Sequence, residues 1–338
     1  MSGGSFSQGL GEWIGSAEVY DGNGRFAGMG RDTRTVQATD PAGLITVEVT
    51  FEGPFSLSGM YTIADHGSHR TYEGPLNLGF AEVLGDGLIA ARNYWPSLGL
   101  SQRFFLMVLP DGTHQLSLAL LSRGDRLRWT VVGEYLRQLQ TSQDPLPVVE
   151  PIDPAAVNDD PTAGRGRLLL LRPGRWSGRL HRLGPDLDPS GTVDYVETVA
   201  ARGQTDSAEL ADPGHTGTTL AARGDTERAE LAGSDRSRTV REALTVELSG
   251  LSFAPDASFV LESDGWSAWT PAGDFAGSAA LSGGRGLSGH FHNDPAGCRV
   301  WRREVASLDG STKAVLHIWY RGEERLGALY GTLTFNPE

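Results

Sequence analysis

Cysteine and lysine are almost missing. Cys298 and Lys313 stand alone in 338 residues, and arginine supplies the other 28 of the 29 basic side chains. A lone cysteine excludes an internal disulfide and a cysteine-rich zinc site. Positive charge is scarce beside 42 acids, which gives a net charge of −13. With no phosphate-neutralising excess, general nucleic-acid binding is not expected. No apolar run reaches the ~18–20 residues of a membrane-spanning helix. Residues 1–10 have neither a basic start nor an apolar core, so no secretory signal is visible and a cytoplasmic location is expected. Signatures of common catalysts are missing too. Without a G-x-S-x-G elbow, a G-x-x-x-x-G-K-[ST] loop or a strand-linked G-x-G-x-x-G, neither a hydrolase turn nor a nucleotide site is expected, and no cofactor.

What is present is strand-forming. The chain has 45 glycines and 39 % apolar residues, which suits a globular protein with many turns. Residues 44–51 alternate cleanly: Ile45, Val47, Val49 and Phe51 share one face, against Thr46, Glu48 and Thr50. Similar segments recur at 16–20, 34–38, 56–63, 69–76, 79–84, 88–94, 102–109, 115–122 and 127–136. A second series runs through 179–183, 192–200, 239–248, 258–263, 274–281, 287–291, 299–307, 313–320 and 325–335. Gly, Pro, Asp or Asn punctuates nearly every gap. Many short strands with turns between them predict an all-β sandwich or antiparallel barrel.

The two series are copies. Residues 103–133 align without a gap on residues 301–331, an offset of 198. Asp111-Gly112 falls on Asp309-Gly310, Arg123-Gly124 on Arg321-Gly322, and Gly133 on Gly331. Turn chemistry at fixed offsets sets hairpin register, so it outlasts drift in the strands. Each half also opens on G-x-W-x-G, at Gly11-Glu12-Trp13-Ile14-Gly15 and Gly174-Arg175-Trp176-Ser177-Gly178. A tryptophan there can plug one end of a barrel while the glycines let the backbone turn beside it. Five prolines between residues 140 and 165 mark a semi-rigid linker. The expected organisation is an N-terminal barrel over 1–140, a Pro-rich linker over 141–164 and a C-terminal barrel over 165–338. A polar insertion around 202–236 carries its own short duplication, at 200–210 and 221–231, and reads as an excursion outside the barrel or a lid.

The paired G-x-W entry, each ahead of an antiparallel meander of about eight strands, resembles the calycin and lipocalin architecture. The tandem form resembles bacterial two-barrel families: an uncharacterised cyanobacterial type, and the carotenoid-hydratase and Diels–Alderase group. The resemblance implies two lipocalin-like barrels and a pocket for a small molecule. A lipocalin basic residue near the last strand would correspond to Arg137 or Arg325.

Candidate chemistry comes from polar and aromatic residues within strands. His317 is the candidate proton carrier, because imidazole titrates near neutral pH. Arg303, Glu304 and Tyr320 complete a candidate catalytic group. Strand alternation puts Arg299, Trp301 and Arg303 on one face and Val300, Arg302 and Glu304 on the other. An arginine facing a barrel interior needs a partner, and Glu197 or Glu304 would serve. Candidate ligand contacts are Tyr72, Asn93, Tyr94, Trp95 and Arg103 in the first half. In the second they are Trp266 and Trp269, in a loop at 264–271, with Trp301 and Trp319. His290 and His292 share a face and could recruit His317 to a metal, but strand adjacency is not given by the sequence and no metal is expected. The expected activity is cofactor-free cyclisation, isomerisation or hydration of a bulky hydrophobic molecule. The alternatives are a non-catalytic carrier or sensor of such a ligand and, with less support, a His-ligated metal hydrolase. A homodimer is left open.

Overall fold

The computed structural model describes residues 6–39, 44–138, 169–201, 242–271 and 273–337. The predicted linker and the polar insertion lie outside the described residues. The first barrel comprises β1 (Gly11–Asp21), β2 (Phe26–Thr39), β3 (Leu44–Glu52), β4 (Leu57–Asp65), β5 (His69–Glu73), β6 (Leu78–Glu82), β7 (Leu88–Trp95), β8 (Leu100–Val108), β9 (His114–Arg123) and β10 (Arg126–Arg137). The second comprises β11 (Gly174–Leu183), β12 (Pro189–Ala201), β13 (Glu242–Ser249), β14 (Ala257–Ser263), β15 (Ser267–Trp269), β16 (Phe275–Ser282), β17 (Gly286–Asn293), β18 (Cys298–Ala306), β19 (Thr312–Arg321) and β20 (Glu324–Asn336). Each strand pairs antiparallel with the next, and β1–β10 and β11–β20 pairing closes each sheet. Closure leaves no free edge. Each barrel has ten strands, where the resemblance suggested about eight. The tryptophan-bearing loop at 264–271 contributes one of them, β15.

The duplication is visible strand by strand. Strands β7, β8 and β9 map onto β17, β18 and β19 at the 198-residue offset, end for end. The hairpin glycines match as well: φ is 70° at Gly112 and 68° at Gly310, 62° at Gly124 and 59° at Gly322. These left-handed conformations favour glycine, which is why the turns kept their spelling while the strands drifted.

Trp13 and Trp176, near the starts of β1 and β11, are fully buried in the cores of the two barrels. Trp13 donates its indole N–H to the Gly9 carbonyl at 2.9 Å. Of the two basic residues the resemblance suggested, Arg137 lies over the Trp13 ring at 4.8 Å, whereas Arg325 pairs with Glu82 of the first barrel at 2.6 Å. The glycines two residues on permit close strand approach. A Cβ at Gly15 would sit 2.2 Å from the Glu134 carbonyl oxygen, and one at Gly178 2.5 Å from that of Thr332.

The barrels meet along a shared apolar seam formed by their outer walls. Phe105, Met107, Leu116 and Leu118 of the first pack with Val305, Ala314, Leu316 and Ile318 of the second. Arg103 and Trp301 occupy equivalent positions in the two copies, and they touch: the guanidinium lies 5.5 Å from the indole centroid. A residue meeting its own counterpart is the mark of a two-fold, isologous contact, here formed within one chain. Arg285 adds a polar clamp. It reaches from the β16–β17 turn to Glu134 at 3.0 Å and Glu18 at 3.5 Å on the other barrel.

Candidate functional site in the first lumen

The two lumens are built on one frame but filled differently. In the second, four β18 and β19 side chains point inward with Glu197 of β12. Arg302 binds Glu197 at 2.8 Å, Lys313 binds Glu197 at 3.1 Å and Glu304 at 2.7 Å, and His317 Nε2 meets Glu304 at 3.0 Å. Arg302 also pairs with Glu304. Two carboxylates and two cations cancel, as burial of charge requires. Burial holds His317 below the ordinary imidazole value. Burial also opposes the Glu304 carboxylate, but Arg302 and then Lys313 outweigh it and hold the group well below its usual range. The short turn Leu169–Leu171 is buried in the same core, its Leu170 N–H bonded to the Gly284 carbonyl at 3.0 Å.

At the four matching β8 and β9 positions the first barrel carries no charge: Phe104 stands for Arg302, Leu106 for Glu304, Ala119 for His317 and the neutral Gln115 for Lys313. Space remains. It is lined by Val49, Phe51, Phe55, Leu57, Tyr61, Tyr72, Ile89, Trp95, Phe104, Ala119, Leu121 and Val131, with Asp32, Arg34, Asn93, Gln102, Ser117 and Tyr135 supplying polar groups. The cavity they enclose is about 70 Å³. It is therefore a narrow slot. Phe51 and Phe55 of the lining stack in series with Trp129, with centroids 4.7 and 5.8 Å apart.

Two polar groupings line the slot. Asp32 and Arg34 are two apart on β2, so both face inward. Arg34 Nε donates to Asp32 Oδ1 at 3.1 Å and its Nη2 to the Tyr135 hydroxyl at 2.8 Å. Tyr135 gives its own proton to Asp32 Oδ2 at 3.1 Å and accepts from Ser117 at 3.3 Å. Burial disfavours the Arg34 cation, but Asp32 beside it pulls the pKa above its ordinary value. Burial raises the Tyr135 phenol, and Asp32 adds to this. It also raises Tyr72, and pushes Tyr61 up to about 12. The phenols stay protonated at any physiological pH. In the second grouping, Gln102 Oε1 accepts from Asn93 at 3.2 Å and from the Trp95 indole at 2.9 Å. The Tyr72 hydroxyl and Asn93 Oδ1 are buried without a partner among the described residues.

Most of the predicted site residues are split over three places, and Tyr94, Trp266 and Trp269 lie in none of them. Tyr72, Asn93 and Trp95 line the first lumen. Glu304, His317 and Trp319 are buried inside the second barrel, where Glu304 and His317 serve the ion cluster. Arg303, Arg103, Trp301 and Tyr320 come together on the outer walls at the seam. Tyr94 is exposed. Trp266 lies against Gly24 of the first barrel, and Trp269 bonds Glu262 at 2.9 Å. His290 and His292 are exposed and pair across the ladder with Trp301 and Arg299, whereas His317 faces the interior, so the three cannot share a metal. Sequence reasoning missed Asp32, Arg34, Tyr61 and Tyr135.

No protein-family model and no curated protein matches the chain. Among solved structures, it is similar to a protein of unknown function from the DUF3598 family of Nostoc punctiforme. That match is 12 % identical, covers 99 % of both chains and has a TM-score of 0.52. An S-type phycobiliprotein lyase from Guillardia theta is 7 % identical over 40 % of this chain and 91 % of its own, with a TM-score of 0.32. The likeness to the cyanobacterial protein extends over both barrels and is a likeness of fold. Among the described residues, no helix is long and apolar enough to cross a membrane.

Proposed function

We propose that the first barrel binds a slender or flat, mostly apolar small molecule carrying one neutral polar group. The observation behind this reading is the contrast between the lumens: one is closed by an ion cluster, the other left open and walled by aromatics. Seven of the eighteen lining residues are aromatic, which suits a conjugated or ring-bearing ligand. The charges of Asp32 and Arg34 cancel, so a charged ligand group would gain little there. Among the described residues the Arg34 hydrogen bonds all leave from Nε and Nη2, so Nη1 is the natural donor to a ligand carbonyl or hydroxyl. The unpartnered Tyr72 hydroxyl and Asn93 Oδ1 each cost about 1–3 kcal/mol while unmet, which a ligand hydroxyl would recover.

The neutral fluorophore N-phenyl-1-naphthylamine tests the slot. Its emission should rise on mixing with the protein and fail to rise with Ala119→Trp, which fills the lumen wall. Equal binding by a folded Ala119→Trp protein would place the probe elsewhere and defeat the proposal. Organic extraction followed by mass spectrometry would then identify what the protein carries from its host.

A second reading adds cofactor-free isomerisation, hydration or cyclisation in the same slot. It is favoured by one feature, a guanidinium fixed by Asp32 and Tyr135 beside an aromatic wall. Such a preorganised donor stabilises charge developing on a carbonyl oxygen, while the slot restricts the substrate's conformations. Conversion of the extracted compound by the native protein, lost in an Arg34→Met/Asp32→Asn variant that still binds it, would support this reading. Identical conversion by both would remove it.

A further inference from the structure

The seam carries a cluster of positive charge that no acid among the described residues balances. Arg92 on β7 and Arg103 on β8 stand directly opposite each other on the outer wall of the first barrel. Like charges so placed repel. From the second barrel, β18 brings Trp301 and Arg303 to the same place. The Arg303 guanidinium lies 4.2 Å from the Trp301 ring centroid, and that of Arg103 lies 5.5 Å from the same ring. Arg303 is only 6 % exposed, and its Nε is buried with no hydrogen-bond partner. Among the described residues none of the three arginines forms an ion pair. This is unusual in a chain with a net charge of −13.

A buried guanidinium without a counter-charge is costly. Burial, then Arg103 and Arg92, pull the Arg303 pKa down to about 10, with Tyr320 opposing weakly. The same field reaches His290, which stacks on Trp301 at 5.4 Å. Although the residue is exposed, partial burial of the ring against Trp301, then Arg299, Arg103 and Arg303, hold that imidazole below its ordinary value. Every other buried arginine discussed above has an acid: Arg34 has Asp32, Arg285 has Glu134 and Glu18, and Arg302 has Glu197 and Glu304.

We propose that this corner of the seam is an oxyanion site, in which a carboxylate or phosphate group sits among Arg303, Arg103 and Arg92 with the Trp301 indole as its flat wall. Planar guanidinium forks suit both groups, since each offers paired oxygens. The site is separate from the first lumen and asks for the opposite ligand character, anionic rather than neutral.

Thermal unfolding and calorimetry with sodium phosphate and with sodium benzoate, at ionic strength matched by chloride, test the proposal. Either anion should raise Tm beyond the chloride control with saturable concentration dependence. The tighter of the two identifies the oxyanion. Arg303→Met should weaken binding at least tenfold and raise the Tm of the ligand-free protein, because it removes an uncompensated charge. The exposed pair Arg92→Gln/Arg103→Gln should weaken binding while leaving the fold intact. Ala119→Trp, which closes the lumen, should leave anion binding unchanged. No stabilisation beyond chloride would overturn the proposal. So would equal affinity in all arginine variants, which would mean an adventitious ion only. A lower Tm for Arg303→Met, with binding retained by the Arg92/Arg103 variant, would show a structural cation and overturn it too.

Discussion

Replacing Arg285 with methionine should cost about 3–5 kcal/mol, the range seen when one partner of a buried ion cluster is removed. The side chain is 1 % exposed and fully engaged: Nη2 reaches Glu134 at 3.0 Å, Nη1 reaches Glu18 at 3.5 Å, and Nε donates to the Ala306 carbonyl at 3.1 Å. Methionine fills similar space but strands two carboxylates. At an effective dielectric near 20, each charge contact at ~4 Å is worth about 4 kcal/mol before desolvation, so a loss of several kcal/mol is reasonable. Glu134 already lies above the ordinary carboxylate value through burial, with Arg285 as the main opposing influence. Without Arg285 it should rise further. The folded state then binds a proton more readily than the unfolded chain, so the deficit should shrink as pH falls from neutral toward ~4.5. Urea unfolding followed by tryptophan fluorescence gives the loss from the shift in midpoint at constant slope. The triple variant Arg285→Met/Glu18→Gln/Glu134→Gln, which removes the stranded charges, should recover most of the stability. A loss under about 1 kcal/mol, or no recovery in the triple variant, would refute the view that this clamp holds the barrels together.

Acid should destabilise the second barrel in two stages. His317 is depressed when folded, so the unfolded chain binds more protons below ~6.5 and stability falls there; Glu304 is also depressed, and its contribution falls away below ~4.5. Tm measured against pH should show both declines, and His317→Gln should flatten the first; an unchanged profile in that variant would count against the assignment. Trp13→Ala and Trp176→Ala should each lose about 3–5 kcal/mol by leaving a cavity in a barrel core, read from urea midpoints. Arg34→Met should lose a similar amount by stranding Asp32, and the double variant with Asp32→Asn should regain much of it, which thermal unfolding would show.

The fold was legible where local chemistry and global shape agree. The turn glycines at 112, 124, 310 and 322 each occupy a positive-φ position, so their spacing carried the duplication even where strand residues diverged. Strand β2 was harder. It starts at Phe26, eight residues before the predicted segment, because Gly28 and Gly30 dilute its pattern and Arg31–Arg34 reads as a polar turn. That run hid the Asp32–Arg34 pair. Alternation puts the two on one face, but only closure of the barrel makes that face the interior. The same ambiguity divided Arg302 from Arg303. Alternation separates them, yet both are buried, at 4 % and 6 % exposed, because the seam covers the outer wall as the lumen covers the inner one. Tyr72, Asn93 and Trp95 were named because they are polar or aromatic residues within predicted strands, which is visible without knowing which face is the interior.

The self-complementary wall between the barrels has a consequence for how the protein can be dissected. Joined halves satisfy each other, so Phe105, Met107 and Leu118 on one and Val305, Leu316 and Ile318 on the other never meet solvent. Produced separately, either half would present that greasy stripe to water and would pair with a second copy of itself, the ancestral arrangement from which a fused duplicate can descend.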